Sequence, residues 1–376
     1  MTGRLRIAIL LLVLVTAGWW YARPVRVAAT SILLLPEIFE NAPSRPLRWI
    51  TEPPRREEIA LRYSAGSVIG DLYVPATAGP HGAVILLLGA RPAPRDDPTL
   101  TRFAEALGRA GAVVMVSESS NLSNGLVLPQ EVDAVAEQIA LLQARADVDR
   151  TRVAILGFSV GGSVGLLSAA DPRTRGQLSS VTAFGSYYDA TDILRAISQS
   201  SLSYAGIDAP WQPNGTTIWV VARQIVDTLP AGADREIIER IYMTGDETAR
   251  DREPELSQTG RTIVALLDGT DAPRTEALVG TLPETTRTRL RQISPSSQIS
   301  AVHTPVLLMH DVDDTLIPYP ESRRIASGLP AGRLELFTEF DLFAHVTPDG
   351  TARPSSFAWQ LARLWRQVFW VLMSFL

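Results

Sequence analysis

The chain contains no cysteine and no lysine; all 35 basic residues are arginine, and 40 acidic residues bring the net charge to −5. Without cysteine there can be no thiolate nucleophile, iron–sulfur cluster, thiolate zinc site or disulfide. Without lysine, Schiff bases, Ser-Lys dyads and phosphate-cradling P-loops are excluded. Histidine occurs only at positions 81, 303, 310 and 345, a spacing that holds no metal, and no glycine cluster has the order of a dinucleotide fingerprint, so no cofactor or metal is expected. Mild acidity argues against a nucleic-acid partner, which requires a basic face to displace counterions. What is left is hydroxyl, carboxylate and imidazole chemistry. The chain of 376 residues, 46% of them hydrophobic and 20% charged, is long enough to bury a large core.

The N-terminal run IAILLLVLVTAGWWYA (7–22) carries no charge, lies between Arg4/Arg6 and Arg23/Arg26, and ends in three aromatics. This pattern predicts a single-pass membrane anchor over residues 1–26, with a cleaved signal peptide ending near Val27-Ala28-Ala29 as the alternative. Sixteen residues rise about 24 Å as a helix, somewhat short of a bilayer core, so the flanking arginines would snorkel. Arginines flank both ends and barely set the orientation; an extracytoplasmic body is expected. SILLLPEIF (31–39) could lie along a bilayer, and the proline-rich stretch that follows makes 27–57 read as an extended tether.

From residue 58 the pattern becomes that of an α/β domain. EIALRY and SVIGDLYV flank Ala65-Gly66 as a hairpin, and GAVILLLG (82–89) suits a strand buried on both faces. Helical spacing in 99–111 and 129–145 alternates with strand-like AVVMV (112–116), RVAIL (152–156) and SVTAF (180–184). Such alternation predicts a mostly parallel sheet covered by helices on both faces. Residues 186–300 break the rhythm and read as a helical insertion serving as a lid or cap. The sheet pattern resumes at TPVLLMH (304–310), so the core comprises 58–185 and 301–376. The apolar C-terminal stretch reads as a helix packed on the sheet.

Strand RVAIL runs into Gly157-Phe158-Ser159-Val160-Gly161-Gly162 and then into a helical segment. A nucleophile on so sharp a strand-to-helix turn needs small residues two before and two after it, which makes Ser159 the candidate nucleophile and the Val160 amide a candidate oxyanion donor. A second, overlapping match centred on Ser163 falls a full turn inside the helix, where a small residue serves close packing. Among the histidines, His81 and His303 precede strands and so sit at the edge away from a ligand crevice. His310 ends a strand at the correct edge but runs into an acidic cluster. His345 lies in a loop after the last strand and is the candidate base, its bland alternative being a solvated loop histidine.

The order Ser159, acidic cluster, His345 and the segment HDVDDTLIP (310–318) resemble α/β-hydrolases, in particular serine esterases and peptidases of the dienelactone-hydrolase and prolyl-oligopeptidase type. The resemblance implies an α/β-hydrolase fold, places the triad acid at Asp314 and puts the second oxyanion amide at Ala90. Asp311 stands where the family signature has glycine, and Leu88 where a histidine is common before the oxyanion glycine. The expectation is a membrane-tethered serine hydrolase of carboxylesterase type acting on a small-molecule or lipid-like acyl substrate. The rivals are a peptidase or acyltransferase on the same triad, and a non-catalytic hydrolase-like membrane binding protein.

Overall fold

The computed structural model describes residues 22–348 and 354–376. All of the apolar run 7–22 except Ala22 lies outside them, and no helix among the described residues is long and apolar enough to cross a membrane.

Eight strands form one sheet: β1 (Arg55–Tyr63), β2 (Gly66–Val74), β3 (His81–Leu87), β4 (Val113–Ser119), β5 (Val148–Phe158), β6 (Ser180–Phe184), β7 (Val306–Asp311) and β8 (Leu334–Phe340). Their spatial order is β1-β2-β4-β3-β5-β6-β7-β8. Strand β2 pairs antiparallel with both β1 and β4, and the strands from β4 to β8 are mutually parallel. The period-two rule of a strand explains why the central runs are apolar throughout. Ala83, Ile85 and Leu87 of β3 join the core on one face, while Val84 and Leu86 join the core on the other.

Three helices cover the second face: α1 (Arg23–Ile38), α2 (Pro98–Arg109) and the C-terminal α11 (Pro354–Met373). On the first face lie α3 (Glu131–Ala144) and α4 (Val160–Ala170). Between β6 and β7 the insertion is mainly helical, with α5 (Ala190–Gln199), α6 (Gly215–Thr228), α7 (Gln258–Asp268), α8 (Ala272–Gly280) and α9 (Glu284–Gln292), besides shorter turns and a small hairpin pairing Ser201–Tyr204 with Ile207–Pro210. Asp189, Asn214, Ser257 and Asp271 each accept a first-turn amide and so start four of these helices. After β7 comes α10 (Pro320–Gly328).

Residues 27–57 are not an extended tether. Helix α1 buries Val27, Ser31, Leu34 and Glu37 at helical spacing and packs against α2 and α11. The buried Glu37 carboxylate meets Arg45 and Arg48, each at 3.1 Å. Arg45 also donates to the carbonyls of Pro36, Phe39 and Glu40 at the end of α1, so it both pairs the buried charge and closes the helix. The prolines that suggested an extended chain lie after α1: Pro43 and Pro46 precede a short helical turn, Leu47–Ile50, and Pro53 and Pro54 lead into β1, which begins at Arg55.

Candidate active site

Ser159 sits between β5 and α4 at φ 54° and ψ −129°, a left-handed conformation that a residue other than glycine adopts only where its surroundings enforce it. Its amide donates to Phe184 O at 2.7 Å, which ties the turn to the end of β6. A side chain at Gly157 would collide with the backbone of Gly162, and one at Gly161 with the Leu87 carbonyl. Both glycines are therefore required by close backbone approach, as the motif demands. Gly89 serves the facing loop: a Cβ there would lie 3.1 Å from Ser159 Cβ and 3.4 Å from its Oγ. Among the described residues, neither the Ala90 nor the Val160 backbone amide donates to a protein acceptor. Val160 is the first residue of α4, where an unpaired N–H is intrinsic to the helix.

Ser163 is fully buried within α4 and makes two bonds to one residue, donating to Tyr187 O at 2.8 Å and accepting from Tyr187 N at 3.1 Å. Its hydroxyl pins the start of the insertion, and Ser163 lines neither of the spaces beside Ser159.

Asp314 and His345 are brought together, with Nδ1 of the ring 2.5 Å from Oδ2 of the carboxylate. The other carboxylate oxygen accepts from Leu316 N at 2.8 Å and Ile317 N at 2.9 Å. Burial alone would push the Asp314 carboxyl up. The charge of His345 and hydrogen bonds from His310 and His345 outweigh it and hold the group well below the usual carboxylate range. His345 occupies the first position of a two-residue hairpin loop, between Phe343–Ala344 and Thr347–Pro348, with φ 61°. Such loops require positive φ at that position. The hairpin itself is held by Asp311, whose Oδ2 accepts from Leu342 N and Phe343 N at 2.8 Å each. Burial raises the Asp311 carboxyl, and those backbone bonds oppose the rise. Asp313 is exposed and makes no contact with the ring.

Several contributors were not visible in the sequence. Gly185, at φ 61°, lies under the ring, where a Cβ would stand 2.9 Å from Cε1 and 3.1 Å from Nδ1 of His345. His310 is fully buried; its Nε2 lies 3.0 Å from Ile317 O and 3.2 Å from Asp314 Oδ2. The insertion also braces the acid loop. Trp211 Nε1 donates to Asp314 O at 2.9 Å, Asn214 N to Thr315 O at 2.9 Å, and Thr217 Oγ1 to Leu316 O at 2.8 Å. The only advance signals were a glycine ending an apolar strand and a histidine four residues before the acid.

Ser159 and His345 face one cavity of about 530 Å³. A second, smaller space of about 80 Å³ beside Ser159 is walled by α6 and α9, with Val220, Val221 and Leu290 among its apolar residues. Another cavity, lined by Arg23, Arg26, His81 and Arg152, lies at the opposite edge of the sheet and touches none of these groups.

The strand order, the antiparallel second strand and the strained serine turn after β5 together define an α/β-hydrolase fold. No protein-family model matches the chain, and no curated protein does. Among solved structures, 2,6-dihydroxy-pseudo-oxynicotine hydrolase is similar at 15% identity and TM-score 0.45, over 84% of this chain and 68% of that one. An acylaminoacyl peptidase from Pyrococcus horikoshii matches at 12% identity and TM-score 0.48, and the match spans 40% of the peptidase. An α/β hydrolase from Penicillium sp. sh18 matches at 16% identity and TM-score 0.44, over 84% of this chain and 99% of that one. These are distant likenesses of overall fold.

Proposed function

We propose that the protein is a serine hydrolase that cleaves a carboxylic ester through an acyl-enzyme. The observation that carries this reading is the buried Asp314–His345 pair facing the same cavity as Ser159, which stands on a strained turn. With Nδ1 held by Asp314, Nε2 is the ring nitrogen available to remove the Ser159 proton as Oγ attacks the ester carbonyl. The carbonyl oxygen becomes an oxyanion, which the unpaired Ala90 and Val160 amides would receive. The imidazolium then returns its proton to the departing alcohol, and water releases the acid by the same steps in reverse roles.

A peptidase or acyltransferase would use the same three groups, and the largely apolar cavity suits an apolar acyl portion in each case. We also infer that residues 186–300 act as a lid, on the strength of α6 and α9 walling the smaller space beside Ser159. Attachment to a membrane through 7–22 is part of the same proposal. It is supported by that apolar sequence and by the exposed Ile32 of α1, the helix that follows it in the chain, and the exposed Trp359 and Trp370 of α11, which packs on α1. The test of the catalytic reading is turnover of a p-nitrophenyl acetate series with a pre-steady-state burst. A burst equal to the enzyme concentration is expected, and turnover no faster than buffer would contradict it.

A further inference from the structure

The large cavity does not stop at the serine. It continues from Ser159 and His345 down the second face of the sheet, beneath helix α1, and its deep walls come from three helices and the sheet: Leu34 of α1, Leu107 of α2, Met309 of β7, and Leu364, Val368 and Leu372 of α11. These side chains belong to the hydrophobic core of that face. Cores pack to nearly crystalline density, and an apolar void of about 150 Å³ is already enough to bind benzene. A space of about 530 Å³ in the same kind of lining is far beyond a packing fault. Helix α1 makes it possible: it packs on both α2 and α11 and so roofs the space that those helices leave over the sheet. Polar groups gather elsewhere on the wall. Glu37 is neutralised by Arg45 and Arg48, and Asp97 accepts the first amides of α2.

We propose that this cavity is the binding site for the long, unbranched hydrocarbon chain of a fatty acyl group, with its carbonyl end at Ser159. A largely apolar wall, with its buried Glu37 ion-paired, suits a chain that contributes only methylene burial, and the Ser159–His345 end suits the ester. The smaller space on the other side of Ser159 is left for a compact alcohol portion. The proposal rests on the hydrolase reading for the direction of the chain, but occupancy of the cavity can be measured without catalysis.

Binding is measured on the full-length Ser159→Ala protein with the fluorescent C18 fatty acid cis-parinaric acid, displaced by palmitate or by butyrate. Displacement by palmitate at concentrations at least a hundredfold below butyrate is expected. Leu34→Phe and Val368→Phe, which fill the cavity from different walls, should each weaken parinarate binding tenfold or more, with thermal unfolding reporting that each variant is folded. In the native protein, kcat/KM for p-nitrophenyl esters should climb about three- to fourfold per added methylene of the acyl chain until the cavity is full. Both variants should lower the ratio of palmitoyl to acetyl turnover. Brisk turnover with no dependence on acyl length, or dependence on the alcohol chain instead, would overturn the proposal and leave the hydrolase standing. Parinarate binding with these competition properties in a protein that hydrolyses no ester would support the cavity assignment and sink the hydrolase. Failure of palmitate to bind in preference to butyrate would overturn it outright.

Discussion

His310 Nε2 lies 3.2 Å from Asp314 Oδ2, the same carboxylate oxygen that meets His345 Nδ1 at 2.5 Å. Two imidazoles thus converge on one buried oxygen, one from the end of strand β7 and one from the hairpin beyond β8. Ser322 Oγ and Ile317 O fix the buried ring, contacting its Nδ1 at 2.5 Å and its Nε2 at 3.0 Å. In that arrangement Ser322 donates to Nδ1, and Nε2 carries the proton that faces Ile317 and Asp314. His310 therefore positions the acid and does not face the substrate.

Replacing His310 by Gln should lower kcat by about ten- to hundredfold, the scale of one hydrogen bond to a charged group, while KM changes little. The acid limb of the pH–rate profile should shift with it, because the carboxylate loses one of its supports. An unaltered profile and rate would show that His310 only fills space.

Gly185 offers a sharper steric test. Alanine there must adopt φ 61° and place its Cβ within about 3 Å of the His345 ring. A displaced base should cost about a hundredfold or more in turnover, whereas the backbone penalty to stability should be near 1 kcal/mol. Parallel measurement of thermal unfolding and turnover separates the two effects.

The three clustered carboxylates should behave differently from one another. Asp314→Asn should reduce turnover about ten-thousand-fold by leaving His345 in the wrong tautomer. Asp313→Asn should be near neutral, since that side chain is exposed. Asp311, which stands where the family signature has glycine, accepts the two bonds from Leu342 and Phe343 that hold the hairpin carrying His345. Asp311→Asn is therefore expected to cost both stability and rate, with Asp313 as the control in the same ester assay.

Glu321 sets a pH dependence of stability away from the serine. It is buried beside Asp192, and burial, reinforced by that negative neighbour, raises its pKa to about 7 despite Arg324 and the amides of Tyr188 and Asp189. The folded state then holds a proton that the unfolded chain has released. Stability should fall by up to about 3 kcal/mol as pH rises from the ordinary carboxylate range to about 7, and then level off. Asp314 acts in the opposite sense: its lowered pKa contributes stability that is present at neutral pH and is lost only in acid, below the ordinary carboxylate range. Denaturant unfolding of Glu321→Gln between pH 5 and 8 should therefore show a flatter profile than the native chain; an identical slope would exclude this carboxyl as the source.

Much of the fold was legible because the central strands alternate between two apolar faces and so read as unbroken hydrophobic runs. Ser159 was legible because Gly157 and Gly161 are needed by backbone contact, which leaves a trace in composition. The hairpin around His345 left none: its tight turn places positive φ on histidine, without the glycine or asparagine that usually marks such a loop. Helix α1 was hidden by its own prolines and by an arginine clamp, Arg45 and Arg48 on Glu37, that closes only in three dimensions. Trp211, Asn214 and Thr217 were equally silent, since bracing a loop through its carbonyls and amides requires no motif.

The most direct test of the central claim is labelling with a fluorophosphonate probe, followed by peptide mass mapping. It reads activation of the nucleophile without a known substrate. The account predicts a single modified residue, Ser159, with labelling abolished in Ser159→Ala and retained in a folded Ser163→Ala protein. Undiminished labelling of Ser159→Ala, or no labelling of the native protein, would contradict it.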